Sequence, residues 1–351
     1  PGTDQGPGAG GQGPAGSAPS IRRRVATVSI VSLLAALAAC LLAPLVGSTP
    51  ISLARALDPS IPWSENVDAQ IFFVARLPRV LAAALVGSTL AAAGVVFQAL
   101  LRNPLATPFT LGISAGAALG AMLALTFGTT LAAAAWATVP LASFAGAVAA
   151  VLVVYAMAVA RRRGFSTDVL LLAGVTLNSL LSALILLVQY FADVTQALQT
   201  VRWLLGDLDV AGYAPLLAAL PMVAIACALF FTLPRALNLL ALGPDHAAAR
   251  GIDPLRAQRI AFLSASLATG AAVSVSGPIG FIGIVVPHLV RLLVGADHRV
   301  VLPASLGFGA AFLIACDLVS RTVLAPVEVP VGIVTALTGG PFFLWLLIRR
   351  G

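Results

Sequence analysis

One carboxylate lies well inside an apolar stretch of this sequence: Asp317, in LIACDLVSRTV, with Arg321 four residues later. On a helix that spacing puts both on one face, where an ion pair offsets part of the cost of placing charge in hydrocarbon. A proton-coupled carrier would need such a carboxylate deep in its pathway, so Asp317 keeps two readings. In VPHLVR, His288 follows Pro287 and precedes Arg291 by about one helical turn. That pair suits proton shuttling or ligand binding, and equally a helix end where both side chains pack and bond to backbone. His246 and His298 have no Cys or His at ligand spacing, so no metal site is expected. Cys40, Cys227 and Cys316 sit far apart in separate apolar segments and read as small buried hydrophobes. All twenty basic residues are Arg. Without a Lys there is no GxxxxGK[ST] phosphate loop, and any ATP-driven step needs another polypeptide. No nucleophile, base or metal constellation stands out, so no catalytic residue is expected.

The elements that position these residues follow from composition. Of the 351 residues 60% are apolar and 9% charged, and mean hydropathy is +1.02. Soluble domains carry about 25% charged residues. Several stretches run about 18 residues or more without a charge, as transmembrane helices do. A polytopic membrane protein is expected, and a soluble or disordered one is excluded. The pI near 10.6 does not imply nucleic acid, because the Arg residues fall mostly between apolar segments, where they orient helices.

Residues 1–20 are rich in Gly, Pro, Ser and Gln and are expected to be a disordered tail; 21–351 is expected to form a single transmembrane domain. Arg22, Arg23 and Arg24 precede an apolar run to about Val46, too long for an ordinary signal-peptide core and followed by no A-x-A-like site. It reads as an uncleaved first helix. Further apolar segments lie at 80–101, 109–127, 131–160, 169–191, 212–233, 259–275, 279–295, 301–323 and 331–348, making ten spans with both termini on one side. On the N-terminal side fall Arg22–Arg24, Arg102, Arg161–Arg163, Arg235, Arg250, Arg256, Arg259, Arg299, Arg349 and Arg350. Only Arg55, Arg76, Arg79, Arg202 and Arg321 fall on the other. The bias places both termini in the cytoplasm. Ten spans divide into five and five, so any repeat of five must be inverted, an arrangement common in transporters.

Two connections exceed turns. Residues 48–78, with Trp63 and Phe72, face outside; residues 234–258 face the cytoplasm and read as two short amphipathic helices broken at Gly243-Pro244 and Gly251, an invitation to a soluble partner. Gly112, Gly116 and Gly120, four residues apart, permit close helix approach. Gly277-Pro278-Ile279-Gly280 and Gly339-Gly340-Pro341 are expected to break or kink their segments, either along a translocation path or at irregular packing. Asn103-Pro104 ends the second span in a cytoplasmic turn.

Four stretches together carry a resemblance. They are RLPRVLAAALVGSTLAAAGVVFQALLRNPLATPFTLGISAGAALGAM from Arg76 to Met122, ALGPDHAAARGI from Ala241 to Ile252, SGPIGFIGIVVPHLVRLLVGADHRVVLP from Ser276 to Pro303, and DLVSRTVLAPVEVPVGIVTALTGGPFF from Asp317 to Phe343. The sequence from Arg76 to Arg350 resembles, in order and with few gaps, the permease subunits of the iron-chelate (siderophore, haem) and vitamin B12 ABC importer family. The 1–20 tail departs from it.

The resemblance implies an all-α, ten-helix type II importer permease in the bacterial cytoplasmic (inner) membrane. It implies a second permease copy, two cytoplasmic ATPases that use ATP and Mg, and a periplasmic or lipid-anchored substrate-binding protein. This chain itself would hold no cofactor and perform no covalent chemistry. By the same resemblance, Leu242, Gly243, Pro244, Asp245, His246, Ala247, Arg250 and Gly251 form the ATPase-coupling segment. Arg76, Arg79 and Arg321 would meet acidic residues of the binding protein. A path between two permeases would be lined by the fifth and tenth spans, at Asn178, Ser179, Ser182, Val331, Gly332 and Thr335, with a cytoplasmic gate at Ser166 and Thr167. The expected cargo is a ferric siderophore, haem or related metal chelate. A corrinoid is the alternative, and a proton-coupled carrier acting alone is the alternative of another class.

Overall fold

The computed structural model describes residues 21–127, 135–160, 167–210 and 212–350, apart from the side chains of 135–137, 160, 346, 347, 349 and 350. The tail over 1–20, Arg161–Arg163 and the gate residue Ser166 lie outside the described residues.

Every regular element among the described residues is helical. The order is α1 (Ile21–Leu42), α2 (Leu53–Ala56), α3 (Val67–Gln70), α4 (Leu77–Leu100), α5 (Ile113–Phe127), α6 (Ala135–Ala160), α7 (Thr167–Phe191), α8 (Val194–Leu204), α9 (Ala214–Thr232), α10 (Pro234–Leu240), α11 (Pro244–Ala249), α12 (Pro254–Ser276), α13 (Ile282–Val294), α14 (His298–Thr322) and α15 (Val331–Arg350). Seven helices have the length and apolarity to cross a membrane, and three shorter apolar ones (α5, α13 and the apolar part of α15) accompany them. These are the ten segments expected from the sequence.

Local chemistry sets the boundaries. Asp253 caps α12 by accepting from the Arg256 amide at 3.1 Å, ahead of Pro254 at the first helical position. Gly277 and Gly295, with φ of 65° and 78°, end α12 and α13 in conformations that cost a residue with a Cβ far more. One boundary differs from expectation. Helical structure begins at Val67 and runs through a wide π-helical turn at Ile71–Arg76 into α4, so Arg76 belongs to the helix and not to an outer loop. Asn66 makes this early start, capping the Ala69 amide at 3.0 Å.

The core is a triplet. α4, α12 and α14 are mostly buried, whereas α1 lies at the periphery against α14. α4 packs on α12, α13 and α14, and α12 packs on α4, α5 and α6. The packing of α4 on α13 and α14 thus parallels that of α12 on α5 and α6, while α12 also packs closely on α9. Small residues permit the approach: Gly87 meets the backbone of Gly309, Gly94 that of Gly283, and Gly116 that of Gly146. Gly120 lies likewise against Ala142, while Gly112 serves a turn with φ of 77° and not a helix contact.

The two expected breaks part company. Residues 277–281 are non-helical and packed in protein: the Gly277 Cα faces the Trp203 carbonyl, and the Asp207 amide donates to the Ser276 carbonyl at 2.9 Å. Such burial is what irregular backbone at membrane depth needs. In contrast α15 continues through Gly339-Gly340-Pro341, with Gly339 pressed on the ring of Phe281. His288 packs against Phe342 and Phe343, with ring centroids 6.1 and 6.0 Å away.

Candidate functional site

Two polar constellations occupy opposite ends of the helix bundle. At the end away from Ile21, Arg79 is the hub. Its Nε donates to Asp317 Oδ1 at 2.7 Å and its Nη1 to Glu328 Oε2 at 2.5 Å. Arg321 Nε lies 3.5 Å from Asp317 Oδ2, the expected i, i+4 pair. Arg76 donates to the carbonyls of Pro44 and Thr49, and Arg321 Nη2 donates to that of Ala43 at 2.7 Å. The three guanidiniums thus fasten the segment after α1, the end of α14 and the loop before α15 to one another. Asp317 is fully buried, and each of the three arginines is more than nine-tenths buried. A carboxylate enclosed in this way opens to neither aqueous side, which speaks against a proton-carrying role. A cavity of about 270 Å³ remains beside the cluster, walled by Gly47, Thr49, Arg76, Arg79, Arg321 and Glu328 among others.

At the opposite end the 234–258 segment folds as two short helices, each started by a proline, Pro234 and Pro244, and separated by Gly243 with φ of 122°. Ala247 is the anchor, buried among Ala236, Leu240 and Ala257. Around it Leu242, Asp245, His246, Arg250 and Gly251 are exposed, Pro244 is half-buried and Gly243 buried. Leu242 is 68% exposed, an apolar knob beyond the bundle.

A clasp ties this segment to α14. Asn238 Nδ2 donates to Asp297 Oδ1 at 2.7 Å, while Asn238 Oδ1 accepts from the His298 amide at 2.9 Å and lies 2.7 Å from His298 Nδ1. Asp297 in turn caps α14 through the Arg299 amide at 2.9 Å. Burial raises the Asp297 pKa, but the Asn238 amide, the Arg299 backbone and the nearby positive charges outweigh it and leave it below the ordinary carboxylate value. Nearby, Arg291 donates to Gln98, whose Nε2 donates to the Gly283 carbonyl at 3.0 Å. Arg102, Asn103, Leu242 and Arg291 share a cavity of about 620 Å³ with the clasp.

The expected path residues divide. Asn178 is half-buried, and Ser179 and Ser182 are exposed on α7. Val331 and Thr335 are buried within the chain and Gly332 abuts the Leu205 carbonyl, so these three back a wall whose exposed surface is Ala336–Thr338. Thr167 opens α7 and is half-buried. Sequence reasoning did not find Glu328, Asn238 or Gln98. Glu328 and Asn238 carry no periodic signal, whereas Gln98 could have been found as the one amide within α4.

The sequence profile of the FecCD transport family matches residues 33–349. The hemin transport system permease protein HmuU of Yersinia pestis is 41% identical over 278 residues, covering 78% of this chain and 82% of that protein. The cobalamin import system permease protein BtuC of Halobacterium salinarum is 43% identical over 278 residues, covering 78% of this chain and 72% of its own length. A solved structure described as an inward-facing conformation of a metal-chelate type ABC transporter matches with a TM-score of 0.79 at 31% identity, over 92% of this chain and 99% of that one.

Proposed function

The chain belongs to the FecCD transport family, and from that premise we propose that it is the membrane-spanning permease of an ATP-driven importer for a metal chelate, working by alternating access. The observation that carries this reading is the pairing of an exposed, proline-delimited hairpin at one end with a buried arginine cluster at the other, in a fold shared with a metal-chelate transporter. The hairpin suits an ATPase and the arginine end an extracytoplasmic binding protein.

Arg24, Arg102, Arg235 and Arg299 lie at or near the hairpin end, in keeping with a cytoplasmic position for that end and for both termini. The proposed membrane is the bacterial inner membrane. A second, identical permease would face the exposed surfaces of α7 and α15, with cargo passing between the copies. ATP and Mg belong to the ATPases, and this chain performs no covalent chemistry. A ferric siderophore or haem is the first cargo reading, supported by the hemin permease relative. The cobalamin permease relative, of similar identity, favours a corrinoid as the second.

Leu242→Asp tests the hairpin directly. Burying a leucine fully is worth about 1.5–3 kcal/mol, or roughly tenfold or more in affinity. Co-purification with the ATPase is expected to fall by that factor while the permease stays folded, since the Leu242 side chain is largely exposed. Undiminished co-purification would remove the hairpin from the interface.

A further inference from the structure

The arginine end is electrically closed in the conformation observed. The cavity wall holds three guanidiniums, Arg76, Arg79 and Arg321, and the carboxylates of Glu328 and Asp209, with Asp317 buried behind. A carboxylate arriving from outside therefore meets Arg79 and Arg321 already paired with acids, and Arg76 buried with its donors spent on the Pro44 and Thr49 carbonyls, unless an acid already present gives way. Asp317 cannot, being fully buried between Arg79 and Arg321. Asp209 is exposed but forms no ion pair among the described residues, so its departure would free no arginine. Glu328 alone is both engaged, on Arg79 Nη1, and reachable, with its side chain 48% exposed.

We propose that Glu328 is a resident competitor for the docking site: an acidic side chain of the extracytoplasmic partner takes its place on Arg79, and its release loosens the loop that leads into α15. This inference rests on the reading of the arginine end as the docking face. Geometry supplies the consequence. Glu328 ties the 323–330 loop to α4, whereas its neighbour Val329 is held separately to α14 by the Ser320 carbonyl at 3.0 Å and the Ser320 hydroxyl at 2.5 Å. Exchange at Arg79 undoes the α4 tie and leaves the α14 tie in place, so the loop and the start of α15 gain freedom relative to α4 alone. Docking outside would thereby reach a helix proposed to border the path. Arg79 is suited to the exchange because a guanidinium presents several donors in one plane and keeps Asp317 on Nε while changing partners on Nη1.

The test is the affinity of the transporter's own substrate-binding protein for the permease–ATPase complex in lipid nanodiscs. Glu328→Gln removes the competitor at a half-exposed position. About tenfold tighter binding is expected, with ATPase assembly unchanged. Arg79→Lys keeps a charge for Asp317 but lacks the fork that holds two carboxylates, so the gain should vanish in the double variant Glu328→Gln/Arg79→Lys. Unchanged or weaker binding by Glu328→Gln, where the unaltered complex binds, would overturn the exchange and leave the docking reading standing. Absence of binding by the unaltered complex would overturn the docking reading, and the exchange with it.

Discussion

Asp317→Ala is expected to destabilise the permease by about 3–5 kcal/mol, the cost of leaving buried charge without its partner. The carboxylate is fully buried, 2.7 Å from Arg79 and 3.5 Å from Arg321, and its loss removes the one acidic group that both buried guanidiniums share. Arg79 would keep Glu328, but Arg321 would keep no acidic partner within 4 Å among the described residues. Denaturant unfolding of the detergent-solubilised chain, followed by tryptophan fluorescence, measures the change. A loss below about 1 kcal/mol, the range of exposed pairs, would mean that water enters the cluster and that its arginines are already hydrated. Asp317→Asn restores the volume but not the charge and is expected to recover little.

The second large effect is steric. At Gly94 the α4 backbone meets the carbonyl of Gly283 in α13 so closely that a Cβ would overlap it. Overfilling a packed interior costs about 1–3 kcal/mol where side chains can give way, and here the obstacle is backbone. Gly94→Val should therefore separate α4 from α13, break the Gln98–Gly283 hydrogen bond one turn further on, and sharply reduce the yield of monodisperse permease. Gly280→Ala is the control, because nothing lies within 4 Å of a Cβ there. Equal yields for the two variants would mean that the α4–α13 approach is not essential to the fold.

The ten apolar segments were legible because a helix that crosses hydrocarbon must be long and apolar whatever it packs against. Their packing was less so. Gly112, Gly116 and Gly120 share a spacing, yet the first turns the chain and the other two meet α6, a difference set by neighbours and not by period. Gly339-Gly340-Pro341 announced a break or a kink, and α15 continues unbroken through Pro341. The helix start at Val67 was hidden because Asp68, Gln70 and Arg76 interrupt the apolar residues of 67–76.

Among site residues, the Asp317–Arg321 pair follows from spacing alone, whereas the shorter bond to Arg79 joins positions 238 apart in sequence, beyond any local rule. The 234–258 hairpin was marked by its prolines and glycines. The Asn238 clasp on Asp297 and His298 was not, since an asparagine in a short helix declares no partner.

As the membrane-spanning part of an ATP-driven importer, this chain should move cargo only together with its ATPase. The most direct measurement is uptake of a ferric siderophore, haem or cobalamin into proteoliposomes holding the permease and its ATPase, with the binding protein outside and ATP and Mg inside. Accumulation of one of these cargoes is expected, requiring ATP and the binding protein and lost with Leu242→Asp. Uptake by the permease alone under a proton gradient, with no ATPase bound, would contradict it.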